Sequence, residues 1–208
     1  MISIPVSFLL AALFAGLALA TLAWRSLPGQ ARGMFAGVFC LMAVEASLVG
    51  MRFAYGHFEF LAVQRVLPVW IAPLIYLAFI SLTVPAERAR RLIAWNLGAA
   101  AILTVALNLP VPVTGYVDGV IGMSYAVYSL ALARIWINGQ DVFAEAPTNM
   151  GGLLHKLLLF SILVMVATLL IDALVAYLFA QEKQGAAALA FPGASLFFLV
   201  IAVGAAIG

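Results

Sequence analysis

Charge is what this sequence has least of. Of its 208 residues 9% are Asp, Glu, Lys or Arg and 66% are hydrophobic, and the mean hydropathy is +1.18. A soluble domain carries about a quarter charged residues. Ten basic and eight acidic side chains cannot cover one of this size, so a soluble globular enzyme and a disordered chain are both excluded. Cysteine is almost missing: Cys40 alone permits no internal disulfide, no CxxC pair and no multi-cysteine metal site. Lying in an apolar run, it reads as a buried small hydrophobe. The net charge of +2 is spread thinly, which leaves no footprint for nucleic acid on this chain. Ahead of the first apolar run there is no positive segment, and the run is too long for a cleaved leader, so the first helix is expected to be retained.

What remains is a series of long apolar runs. A helix needs about 20 such residues to cross the hydrocarbon core. Breaks at charges, Pro and Gly predict seven spans, over 4–24, 34–54, 61–84, 92–109, 119–137, 153–180 and 187–208. The expected fold is an all-α membrane protein, a single bundle over 1–208 whose short loops make successive helices antiparallel. The runs are too long for barrel strands, which alternate over about ten residues. No internal repeat supports inverted symmetry. Arg25, Arg32, Arg88, Arg90 and Arg91, with Arg134 and Lys156, flank the connections after spans one, three and five. The other side carries Arg52, Arg65 and Lys183. This bias predicts the N-terminus outside and the C-terminus in the cytoplasm. After Lys183 no charge follows, and the end at Gly208 lacks the usual aromatic or basic anchor. The expectation is that an output domain is missing after residue 208.

Ionisable groups at membrane depth are costly and usually face the bundle interior or water. Glu45 lies near the middle of span two, with Arg52 two turns along nearly the same face; Arg65 lies early in span three and Asp172 in span six. In the predicted orientation all four fall between mid-membrane and the outer surface. Two acids and two bases there would neutralise each other and form a polar pocket. Ser161, Met165, Thr168 and Asp172 make a seam on span six, and Tyr125, Tyr128 and Ser129, beside Ser124, one on span five. Gln64, Tyr76 and Asn96 add hydrogen-bonding groups. Taken singly, the tyrosines, serines and Asn96 read as glue between helices, worth about 0.6 kcal/mol per contact. For the four charges a structural salt bridge competes with a ligand site, since burying a pair guarantees no stability. Ala12, Gly16 and Ala20 form a small-residue seam suited to packing within the bundle or across a homodimer. Pro68 and Pro73 make span three a bending element.

Enzyme chemistries find little footing. The last span has no lysine for a retinal Schiff base. Ser124 and His155 fall toward opposite faces, against a serine protease, and His57 and His155 are likewise split, against a two-histidine haem. His57 with Glu59 reads as a solvated loop rather than a metal pair. Glu45 and Asp172 match an aspartyl protease by residue type only, without a Gly-x-Gly-Asp. No catalytic residue, metal or cofactor is expected.

The stretches Val49-Gly50-Met51-Arg52-Phe53-Ala54-Tyr55-Gly56, Gln64-Arg65-Val66-Leu67-Pro68 and Ala72-Pro73-Leu74-Ile75-Tyr76-Leu77-Ala78-Phe79, followed by Ile171-Asp172-Ala173, resemble the N-terminal membrane region of bacterial regulators that end in an AraC-type helix-turn-helix domain. The resemblance spans nearly the whole chain through short apolar stretches, and no helix-turn-helix is present. It implies a sensory bundle in the bacterial inner membrane, upstream of a cytoplasmic DNA-binding module. The expected site is Glu45, Arg52, Arg65 and Asp172 with Gln64, Tyr76, Tyr125 and Tyr128, the arginines recognising an anionic group and the acids holding them or taking up protons. Its partners would be membrane lipid and a small or lipid-soluble ligand. A small transporter with the same charges lining a path, and an inert structural subunit, are the alternatives.

Overall fold

A computed structural model describes residues 5–109, 117–147 and 150–181. Six helices occupy them: α1 (Val6–Ala23), α2 (Gly29–Tyr55), α3 (Leu61–Ile80), α4 (Ala86–Asn108), α5 (Val117–Ile137) and α6 (Gly151–Ala180). A 3-10 turn at Gln140–Val142 lies between the last two, and no strand occurs among the described residues. All six helices are long and apolar enough to cross a membrane, and the chain is a multi-pass membrane protein. The span expected over 187–208 lies outside the described residues.

Several helices start earlier than the apolar runs. Pro28 and Pro85 stand immediately before α2 and α4, where a missing N–H costs nothing and a fixed φ favours the first turn. The polar residues after them therefore join the helix: α2 starts at Gly29 rather than at 34, and α4 takes in Glu87, Arg88, Arg90 and Arg91. At the other end of α2 the chain turns at Gly56, whose φ of 71° lies in the left-handed region. Its N–H donates to the Arg52 carbonyl and that of His57 to Met51, closing the helix as a glycine stop does. The third expected span stops early too, at Ile80, and 81–84 form a turn.

α3 is the hub, packing against α2, α4, α5 and, lightly, α6, while α1 packs on α2 and α6 on α5. Its Val69, Ala72, Leu77, Ala78 and Phe79 are all essentially inaccessible. Pro68 and Pro73 sit inside this helix without ending it. Each removes a donor, and Pro73 is itself fully buried. At one end of the bundle Leu27, Leu82, Phe143 and Met150 join the buried cluster, and the Glu145 N–H donates to the Leu82 carbonyl at 3.1 Å. That bond ties the α5–α6 connection to the α3–α4 turn. α1 meets α2 closely at Gly50, where a β-carbon would fall 2.7 Å from Ser7 Oγ and 2.9 Å from the Phe8 ring. Glycine is required here by space.

One packing expectation is corrected: Cys40 is exposed rather than buried, because α2 turns its core face through Ala31, Ala36, Val38 and Gly50. The Ala12–Gly16–Ala20 seam is exposed as well, since α1 is buried along Leu10, Ala11, Ala18 and Thr21, so of its two expected roles packing inside the bundle is not the one it fills.

Candidate functional site

Polar side chains inside the bundle gather on two sides of α3. Toward α2 and α6, the Glu45 carboxylate on α2 lies near the Gln64 amide on α3. Asp172, on α6, lies within electrostatic range of Glu45, and both lie within electrostatic range of Tyr125 on α5. Tyr125 is buried, Glu45 and Gln64 are half-buried and Asp172 is exposed. Asp118, in the first turn of α5, lies within range of Asp172. Four helices thus bring carboxylate, amide and phenol groups together. Glu45 Oε2 is nevertheless buried without a hydrogen-bond partner among the described residues.

The arginines do not join this group. Arg52 has its guanidinium carbon 5.0 Å from the Phe53 ring centroid, a cation–π distance, and its Nε is buried without a hydrogen-bond acceptor. Arg65 is exposed on α3. Among the described residues the one close contact between basic and acidic side chains is His57 Nδ1 with Glu59 Oε2 at 3.4 Å, both exposed. The expected mutual neutralisation of two acids and two bases is therefore corrected: neither Arg52 nor Arg65 reaches Glu45 or Asp172. The reason is positional. Arg52 lies in the last turn of α2, beyond the turns that carry Glu45, and packs on its neighbour Phe53. Gln64, not its neighbour Arg65, lies near Glu45.

Toward α4 and α5 the polar groups are neutral. Tyr128 donates its hydroxyl to Asn96 Oδ1 at 2.6 Å, and Asn96 Nδ2 donates to the Leu92 carbonyl at 2.8 Å. The Tyr76 and Tyr128 rings lie 5.5 Å apart. Trp70 Nε1 donates to Thr104 Oγ1 at 2.9 Å, a link between α3 and α4 that no spacing rule picked out. A groove of about 510 Å³ opens here, with Tyr76, Asn96, Ser124 and Tyr128 among apolar Leu103, Val120, Met123, Val127 and Ala131. A second, of about 400 Å³, lies between α1 and α2 along Ala11, Ala15, Ala43 and Ser47. Glu45, Arg52, Arg65 and Asp172 line neither of these two grooves.

The seam on α6 behaves differently from its pattern. Ser161 and Thr168 donate back to the Leu157 and Val164 carbonyls of their own helix, a local bond that asks nothing of a neighbour. Only Met165 of that series is fully buried. Sequence reasoning also missed the stack of Trp136 on His155, with centroids 5.4 Å apart and planes 16° from parallel. Comparison with protein-family models, curated proteins and solved structures finds no match for this chain.

Proposed function

We propose that this chain is the membrane-embedded sensory module of a one-component transcriptional regulator in a bacterial inner membrane. It couples a periplasmic or membrane-borne signal to a cytoplasmic AraC-type DNA-binding domain. The observation that carries this reading is that Glu45, with Gln64 near it, lies within electrostatic range of Asp172 and Tyr125, so that four different helices place polar groups in one region of the bundle. An ionisable group at membrane depth is costly to keep and by default marks function. With the N-terminus outside, as the basic residues favour, these groups occupy the periplasmic half of the bundle.

A signal acts by preferring one arrangement of the helices over another. Glu45 lies near Gln64 across the α2–α3 contact, and α3 touches four other helices, so a change of charge at Glu45 is passed to the hub. The far end of α3 leads into the turn tied to the α5–α6 connection through Leu82 and Glu145, on the proposed cytoplasmic side. The test is a reporter gene under the full-length regulator. Glu45→Gln and Asp172→Asn, at normal membrane levels, abolish the difference between induced and uninduced expression. Unchanged regulation in both variants overturns the reading.

The grouping of Glu45, Asp118 and Asp172 without a paired base among the described residues favours one second reading, a small cation-coupled permease. Substrate uptake by reconstituted vesicles that vanishes with Asp172→Asn would replace the sensory reading with it.

A further inference from the structure

The groove between α4 and α5 does not share its lining with the charged cluster. Its polar members sit near the middle of two membrane-spanning helices, at Asn96 on α4 and at Ser124 and Tyr128 on α5. Both flanks carry strongly exposed apolar side chains: Trp95, Ile102 and Val105 on α4, and Met123, Val127 and Leu130 on α5. Those flanks belong to lipid, so the groove opens sideways into the hydrocarbon and not into water.

Hydrogen bonding within it is incomplete. Asn96 Oδ1 accepts from Tyr128, and the Asn96 amide nitrogen donates to its own helix. Tyr76 and Ser124 line the same space, and their hydroxyls make no hydrogen bond among the described residues. In hydrocarbon no water is at hand to satisfy them, and an unsatisfied polar group there is costly. Two free O–H donors call for an acceptor. No charged side chain lines the groove, which argues against a carboxylate, phosphate or ammonium. Its size, about 510 Å³, falls within the range of small-molecule sites, about 300–1,000 Å³.

We propose that this groove binds an uncharged, lipid-soluble carbonyl compound, which enters from the bilayer and accepts hydrogen bonds from Tyr76 and Ser124. Its apolar body lies along Leu103, Met123 and Val127, and Tyr128, held by Asn96, sets the floor. The site is independent of the sensory reading, because neither its lining nor its test involves Glu45 or Asp172.

The experiment uses an alkylated benzophenone, a neutral ketone that inserts into nearby C–H bonds under ultraviolet light, with the full chain in lipid nanodiscs. A diazirine-bearing alkane of similar length, without a carbonyl, is the control. Labelling mapped by mass spectrometry is expected to concentrate on Met123, Val127 and Leu103. The double variant Tyr76→Phe, Ser124→Ala removes two hydroxyls that bond nothing, so it folds, as circular dichroism and thermal unfolding verify. It lowers ketone labelling at these positions by roughly eightfold, the factor carried by two intramembrane hydrogen bonds of average strength. Alkane labelling stays as it was. Ketone labelling spread evenly over lipid-facing residues, or undiminished in the double variant, overturns the proposal. Because reporter regulation through Glu45 is measured separately, failure here leaves the sensory reading standing, and the reverse holds too.

Discussion

On its α4/α5 side α3 takes part in a network of neutral groups, and on its α2/α6 side it faces a cluster of ionisable ones. In the neutral network, Trp70 finds Thr104 and Tyr128 finds Asn96, so the bonds join α3 to α4 and α4 to α5. In the ionisable cluster, Glu45 lies near Gln64, and among the described residues one of its buried oxygens has no hydrogen-bond partner, Asp172 has no ion pair and the buried Arg52 Nε has no acceptor. The neutral groups meet the requirements of assembly, because each polar bond across helices in a membrane adds a little stability. The ionisable groups do the opposite, since a titratable group at membrane depth is costly to keep. A feature that costs stability is best explained by what it does for signalling.

The largest effect should come from erasing the charged side. Replacing Glu45 and Gln64 together by leucine removes two neighbouring polar groups and leaves neither stranded. The expected result is a more stable bundle, by as much as about 3 kcal/mol, the insertion cost of a charge at mid-membrane, together with loss of regulation. Steric-trap unfolding in bicelles measures the first and the reporter the second. A destabilised double variant would mean that this pair holds the bundle together, and the contrast between the two sides would collapse. Next in size is Gly50→Leu. The α1–α2 crossing has no room for a β-carbon against Ser7 and Phe8, and overpacking costs about 1–3 kcal/mol. Because α1 is held chiefly by α2, unfolding of this variant should begin with α1, seen as early hydrogen exchange along 6–23 while α3 stays protected. Uniform exchange in all six helices would contradict that order.

The helices were legible in the sequence because a bilayer allows few solutions: apolar runs of sufficient length must close their own backbone bonds. The errors lie where polar residues extend a helix past the apolar run, as at 29–33 and 86–91, and where a helix stops short of its run, as α3 does at Ile80. Which face a helix buries was much harder to read. With little amphipathic contrast in α1 or α2, the outward placing of Cys40 and of Ala12, Gly16 and Ala20 could not be told from spacing. Of the site, Glu45 and Asp172 stood out because charges are rare in such a chain, and Glu45 does approach Gln64 and Tyr125. Pairing was illegible: residue type suggested acid with base, whereas the helix positions brought acid to amide. Tyr128 donates to Asn96 on α4, which read only as glue, and the Tyr76 ring meets that of Tyr128.

The smallest effects test whether the neutral side is assembly alone. Tyr128→Phe removes the donor to Asn96, and Trp70→Phe removes the donor to Thr104. Each should destabilise the bundle by about 0.6 kcal/mol, with reporter regulation unchanged. The two losses should add, because the bonds join different residues and distant independent sites behave additively. A much larger combined loss would show that α4 is held cooperatively by its two bonds, to α3 and to α5. Loss of regulation at wild-type stability would carry further, since it would place part of the signalling path on α4 and make the neutral network a second working site.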